Sequence, residues 1–175
     1  GQFQIIDELV ATDMGAKNFG ICLRRHLNRY YPDKKIIIYA DPAGEQRAQT
    51  DEVTPYMILH DVGIDAFPTY TNDFIIRREV VADLMQRLDF NGNPAFLIGP
   101  KAKMVRKALA GGYKYRKLQV SGGEKFSELP DKGRYSHVGD AVQYLILGAV
   151  GSSNVIGGFD NEKDINYSSL NRSIV

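Results

Sequence analysis

Apolar side chains recur along this chain with two periods, and the periods take turns. Residues 2–10 (Gln-Phe-Gln-Ile-Ile-Asp-Glu-Leu-Val) alternate well enough to predict a strand. Phe19, Cys22, Leu23, Leu27, Tyr30 and Tyr31 then fall at helical spacing over 15–31, and Pro32 stops that helix. Ile36 to Ala40 is a short, continuous, mostly β-branched run, which predicts a central strand buried on both faces; Asp41-Pro42 ends it. A polar loop over 44–52 leads to a predicted helix over 53–62, with Gly63 as its C-cap. A strand over 66–70 and a helix over 74–88 follow. The turn Asn91-Gly92-Asn93-Pro94 precedes a strand over 95–98. A helix over 101–110 closes at Gly111-Gly112. A strand over 113–120 is then hairpinned through Gly122-Gly123, and a strongly apolar helix covers 138–150. Strands alternate with helices, so the fold class is α/β.

The pattern fades after residue 150. Gly157-Gly158, Asn161 and Ser168-Ser169 mark a loose tail over 151–175, which leaves 1–150 as one domain. The chain has 175 residues, 43% of them hydrophobic and 25% charged, enough apolar material for a core. The net charge of +1 neither demands nor excludes a polyanionic partner, so the distribution of charge matters more than its sum. The single Cys22 excludes an intramolecular disulfide; its helical surroundings mark it as a small core residue. No apolar run reaches membrane-spanning length. The first residues carry no signal-peptide pattern and begin inside a strand, as a piece cut from a longer protein would.

Two aspartates stand out. Asp41 closes the apolar strand in Lys-Lys-Ile-Ile-Ile-Tyr-Ala-Asp-Pro-Ala-Gly, residues 34–44. Ligands of open α/β sheets gather at the carboxyl ends of strands. Pro42 fixes the backbone after Asp41, and Gly44 permits a close approach, although Asp-Pro-Ala-Gly is also ordinary turn chemistry. Asp140 opens the last helix, with Ser136 placed to cap it. The apolar neighbours Val138, Ala141, Val142, Leu145 and Ile146 bury that helix. A carboxylate there needs a partner, and a metal is a good one; a dipole-stabilising Asp at the helix start is the plainer account. Hard cations such as Mg²⁺ take one or two carboxylates plus waters and substrate phosphates. His137 lies about one turn before Asp140 and could orient a ligand or contact a phosphate, or simply be a polar helix start. Asp51, a short loop after Asp41, is a candidate extra ligand. Asp7-Glu8 read as a solvated strand end. His26 and His60 have no matching partners. Three scattered histidines and one cysteine do not make a structural zinc site.

Residues 101–117 hold Lys101, Lys103, Arg106, Lys107, Lys114, Arg116 and Lys117 with no acid among them, and Tyr113 and Tyr115 interleave. Lys125, Lys132 and Arg134 extend the run toward Asp140, and Arg77-Arg78 are candidates to join it. A lone basic cluster is usually a solvated face. Beside two carboxylates it is better explained as a track for a phosphate backbone.

Together these motifs resemble the nuclease domain of tailed-bacteriophage terminase large subunits. The resemblance rests on Tyr39-Ala40-Asp41-Pro42-Ala43-Gly44 followed by Arg47 and Thr50-Asp51-Glu52, and on Gly111-Gly112-Tyr113. Above all it rests on Pro130 to Tyr144 (Pro-Asp-Lys-Gly-Arg-Tyr-Ser-His-Val-Gly-Asp-Ala-Val-Gln-Tyr). It implies an RNase H-like fold, a mixed central sheet flanked by helices, over roughly residues 1–150. It implies an endonuclease using Mg²⁺ or Mn²⁺, two ions in all, that cuts concatemeric double-stranded viral DNA during genome packaging. Asp41, Asp140 and Asp51 would serve as metal ligands. Asp41 and Asp140 would be catalytic with His137, while Lys101, Lys103, Arg106, Lys107 and Lys132 would hold DNA. The family draws another catalytic Asp from a preceding strand, and no Asp-x-Gly strand precedes residue 3 in this sequence. The implied partners are a packaging ATPase domain in the parent chain, a portal protein and a small terminase subunit, acting at the procapsid in the host cytoplasm. No Gly-x-x-x-x-Gly-Lys-Ser/Thr motif occurs within these residues. Other RNase H-like nucleases, such as a junction resolvase or an RNA–DNA hybrid hydrolase, share the chemistry. A non-catalytic module docking DNA or a portal protein shares the basic face.

Overall fold

The computed structural model describes residues 2–46, 53–118 and 125–150. The predicted ligand Asp51, with Arg47, Thr50 and Glu52, lies outside the described residues, as do Gly122-Gly123 and the tail over 151–175. The described elements are β1 (Phe3–Ile5), α1 (Ala16–Tyr30), β2 (Ile38–Ala40), α2 (Pro55–Asp61), β3 (Ala66–Pro68), α3 (Phe74–Gln86), β4 (Phe96–Ile98), α4 (Lys103–Lys107), β5 (Tyr115–Leu118), β6 (Lys125–Pro130) and α5 (Ser136–Val150). The fold is mixed α/β. Among the described residues its strands pair as three two-stranded ladders. β1–β4 and β2–β3 are parallel; β5–β6 is antiparallel.

Helix boundaries follow local chemistry. Thr54 accepts a hydrogen bond from Met57 N (3.2 Å) at the start of α2, where Pro55 takes the first helical position. Asp73 accepts from Ile76 N (3.1 Å) at the start of α3. Gly63 ends α2 with φ of 79°. The helix predicted over 101–110 is shorter: α4 runs five residues and then widens into a π-type turn over Ala108–Gly112. There Gly111 takes a φ of 114° that a side chain would resist. α5 begins two residues earlier than its apolar pattern, and Ser136 lies inside it. Its hydroxyl donates to Gly133 O (2.8 Å), so it does not act as the expected cap acceptor.

The strands are shorter than their patterns. β1 stops at Ile5 because Asp7 and Glu8 turn to other partners, described below. β2 is half-buried along its length, not enclosed on both faces; among the described strands only β3 pairs with it, while α5 packs across it. Gly148 of α5 makes that packing close, since a Cβ there would meet the Tyr39 ring at 2.2 Å.

α5 carries the main core. Ile146 and Leu147 are fully buried, and Val138 and Val142 pack with Ile5, Val80, Val81 and Leu84. A smaller cluster joins Leu27, Val62 and Ile64 under α1 and α2. Among the described residues no helix is long and apolar enough to cross a membrane.

Candidate active site

Because β2 and β3 run parallel, their carboxyl ends emerge together. Asp41 leaves β2 at that end. Its Oδ1 accepts from Ala43 N (2.9 Å) and caps a short 3₁₀ turn over Pro42–Glu45. The Tyr56 hydroxyl donates to the Asp41 carbonyl (3.0 Å). The close approach that Gly44 permits is made by the Tyr56 ring, 2.4 Å from where a Cβ would stand. Thr69, at the end of β3, donates its backbone N–H to Ala40 O (3.1 Å), and the chain then turns into α3.

Asp140 stands on α5, the helix that packs against β2. Arg77 of α3 partners it: its Nη1 donates to Asp140 Oδ1 (3.0 Å) and to Gln143 Oε1 (2.7 Å). Tyr113 also donates its hydroxyl to Asp140 Oδ1 (2.8 Å). Gly139 admits the Tyr113 ring; a Cβ there would lie 2.8 Å from its carbons. Asp140 Oδ2 has no hydrogen-bond partner among the described residues.

Tyr144, one turn further along α5, lies within the electrostatic reach of both carboxylates. Burial raises the pKa of its phenol, a hydrogen bond with the Asp41 carboxylate raises it further, and the charges of Asp41 and Asp140 add to this against the opposing charge of Arg77. Burial likewise raises the Tyr113 phenol, reinforced by its bond to Asp140. Both hydroxyls therefore remain protonated donors at neutral pH. The guanidinium of Arg77 lies over the Tyr144 ring, 4.4 Å from its centroid. Asp140, the buried Arg77 cation, Gln143 and the Tyr113 and Tyr144 phenols thus form one connected cluster.

Other predicted residues are placed differently. His137 is exposed at the start of α5. Lys101, Lys103, Arg106, Lys107 and Lys132 are all exposed. Lys101 Nζ sits 5.6 Å from the Tyr30 ring centroid, and Arg106 donates to Pro100 O (3.3 Å). Arg77 is not part of a phosphate track, because it is buried. Its neighbour Arg78 pairs with Glu79 and donates to the Tyr115 hydroxyl (2.9 Å). Asp7-Glu8 are not a solvated strand end. Asp7 Oδ2 accepts from the Tyr31 hydroxyl (3.1 Å) and pairs with His26 Nε2 (2.9 Å), so His26 does have a partner. Glu8 accepts from Met104 N (2.8 Å) and Val105 N (2.9 Å), closing the start of α4. His60 pairs with Asp65 on the surface (2.7 Å).

Arg77, Tyr113, Gln143 and Tyr144 were not singled out for this site by their sequence patterns. A signal for Arg77 existed: with Phe74, Val81 and Leu84 it falls on one helical face of α3, an arginine inside an apolar stripe. Gln143 and Tyr144 stand three and four places after Asp140, one turn away on the same face.

Among the described residues no group of three or more His, Cys, Asp or Glu side chains gathers as a metal-binding set. Compared with known proteins, the chain matches no family model, no curated protein and no solved structure.

Proposed function

We infer that this chain is the RNase H-like domain of a divalent-metal-dependent endonuclease that cuts double-stranded DNA, of the kind that trims concatemeric viral genomes during packaging. One observation carries the inference: β2, which Asp41 ends, packs against α5, which Asp140 opens, so two carboxylates far apart in sequence stand on packed elements. The donor set suits Mg²⁺ or Mn²⁺, which needs only one or two carboxylates beside water and phosphate oxygens. Asp41 and Asp140 would hold the cation, and Asp140 Oδ2 is the oxygen with no other engagement among the described residues. A divalent ion bound there supplies Lewis-acid polarisation of the phosphodiester and activation of the attacking water.

The chain's own residues do the rest. Arg77 offsets the repulsion between the two carboxylates. His137 stands exposed about one turn before Asp140, where it can contact a phosphate or carry a proton. Lys101, Lys103, Arg106, Lys107 and Lys132 present exposed cations to a phosphate backbone. Such contacts read no base edges, so cleavage shows little sequence preference. Asp51 is the remaining candidate for a second ion. The ATPase region of a longer parent chain, a portal protein and a small terminase subunit are the partners this function calls for, at a procapsid in the host cytoplasm.

A second reading has one observation in its favour. Arg77 pairs with Asp140, as in a module that docks DNA without cutting it. Incubation with supercoiled plasmid and Mn²⁺, with an EDTA control and an Asp140→Asn variant, separates the two. The nuclease reading expects metal-dependent nicking that the variant loses. Plasmid that is bound and shifted but never nicked, with the chain extended upstream or without, favours docking.

A further inference from the structure

Arg77 is not placed as a phosphate-binding arginine would be. Its side chain is only 9% exposed, against 36% for Asp140. The guanidinium lies over the Tyr144 ring and within 5.9 Å of the Phe74 centroid. Its Nε donates to Asn72 O (3.2 Å). The fork is thus held by a backbone carbonyl, an aromatic face and the Gln143 amide independently of Asp140.

The two bonds to Asp140 fall on one oxygen. Arg77 Nη1 reaches Oδ1 from α3, and the Tyr113 hydroxyl reaches it from the segment after the π-type turn. Two donors on one carboxylate oxygen, arriving from different elements, fix the rotation of the carboxylate and leave Oδ2 unengaged among the described residues.

We propose that Arg77 is a positioning residue for cation binding, holding Asp140 with Oδ2 presented to a divalent ion that Asp41 shares. The proposal rests on the inference that these two aspartates hold such an ion. Loss of a partner that orients a metal ligand lowers metal affinity by about 10–100-fold. An arginine charge beside a ligand also repels a dication, and removing it favours binding. Here Asp140 already offsets that charge, and two donors from different elements brace its one oxygen, so orientation dominates.

The test is Mn²⁺ affinity by electron paramagnetic resonance on the whole chain, with circular dichroism recording that each variant is folded. Arg77→Lys keeps the charge and loses the planar fork; Arg77→Gln loses both. Tyr113→Phe removes the other donor to Oδ1 and changes no charge. Orientation predicts that both Arg77 variants bind Mn²⁺ about tenfold or more weakly, and Tyr113→Phe several-fold more weakly. Arg77→Lys, the milder change, decides the matter if Arg77→Gln does not fold. Unchanged or tighter binding in the folded variants, with binding still lost in Asp140→Asn, overturns the role of Arg77 alone. A wild-type chain that takes up no Mn²⁺ overturns the cation site itself, and the proposal with it.

Discussion

A methyl group added at Gly139 tests whether Tyr113 is seated on α5 as the structure places it. A Cβ there would stand 2.8 Å from Cγ and Cδ1 of Tyr113 and 3.1 Å from Cδ2. Carbon atoms rest at about 3.5–4.0 Å, so the ring must retreat by roughly 0.7 Å or more. The Tyr113 bond to Asp140 is 2.8 Å long, and a retreat of that size takes it to the edge of hydrogen-bonding distance. Gly→Ala inside an unobstructed helix gains up to about 1 kcal/mol. Against this, overpacking costs about 1–3 kcal/mol. Loss of a hydrogen bond to a carboxylate costs about 1.5–3 kcal/mol, toward the lower end here because Asp140 is partly exposed. Gly139→Ala should therefore destabilise the protein by about 1–3 kcal/mol in urea unfolding. Combined with Tyr113→Ala it should be non-additive by more than about 0.5 kcal/mol, because the obstruction is gone. Gly133→Ala, where a Cβ meets nothing within 4 Å, is the control and should change stability little. A Gly139→Ala protein more stable than wild type, with Tyr113 present, would refute the packing and the geometry of Asp140 with it.

Three further predictions concern other parts of the fold. Leu147→Ala, at a fully buried position on α5, should cost about 2–5 kcal/mol in the same unfolding assay. In alkali, the Tyr56 phenol is pushed up to about 12, first by burial and then by the charges of Glu45 and Asp41. Its neutral form contributes stability that is complete below the unfolded value of about 10 and is lost as pH rises through about 12. Absorbance titration should therefore show Tyr56 ionising late, and Tyr56→Phe should remove that late component. At acid pH, burial alone would raise the Asp7 carboxyl, but the Glu8 N–H, His26 and Tyr31 outweigh it and its pKa is lowered. Its contribution is present above the unfolded value of about 3.9 and is lost as pH falls through the lower folded value, so Asp7→Asn should flatten the acid limb of the stability curve.

Much of this architecture is legible in the residue pattern, for stated reasons. The stripe Val138, Val142, Ile146 has one-turn spacing, and α5 proves to be the centre of the core. Asp41 and Asp140 were legible because each ends or begins an apolar element, where a carboxylate has few ordinary uses. Arg77 was hidden by its neighbour: Arg77-Arg78 reads as a basic surface pair, and only the packing of α3 on α5 buries one member and exposes the other. Asp7 and Glu8 were hidden for another reason. Their partners, on α1 and α4, are brought to them by the parallel pairing of β1 with β4 and by the folding of α1, which no local period encodes. The shortness of β1 follows from the same contacts, since the backbone after Ile5 leaves its ladder as those carboxylates are engaged.

The central claim is that Asp41 and Asp140 form one cation site. Its most direct test is Mn²⁺ binding to the wild-type chain, Asp41→Asn and Asp140→Asn, each measured by electron paramagnetic resonance under the same conditions. The account predicts a site in the wild type that either substitution alone weakens severely, because each removes one of two shared ligands. Binding that persists unchanged in both variants, or that is absent from the wild type, would contradict it.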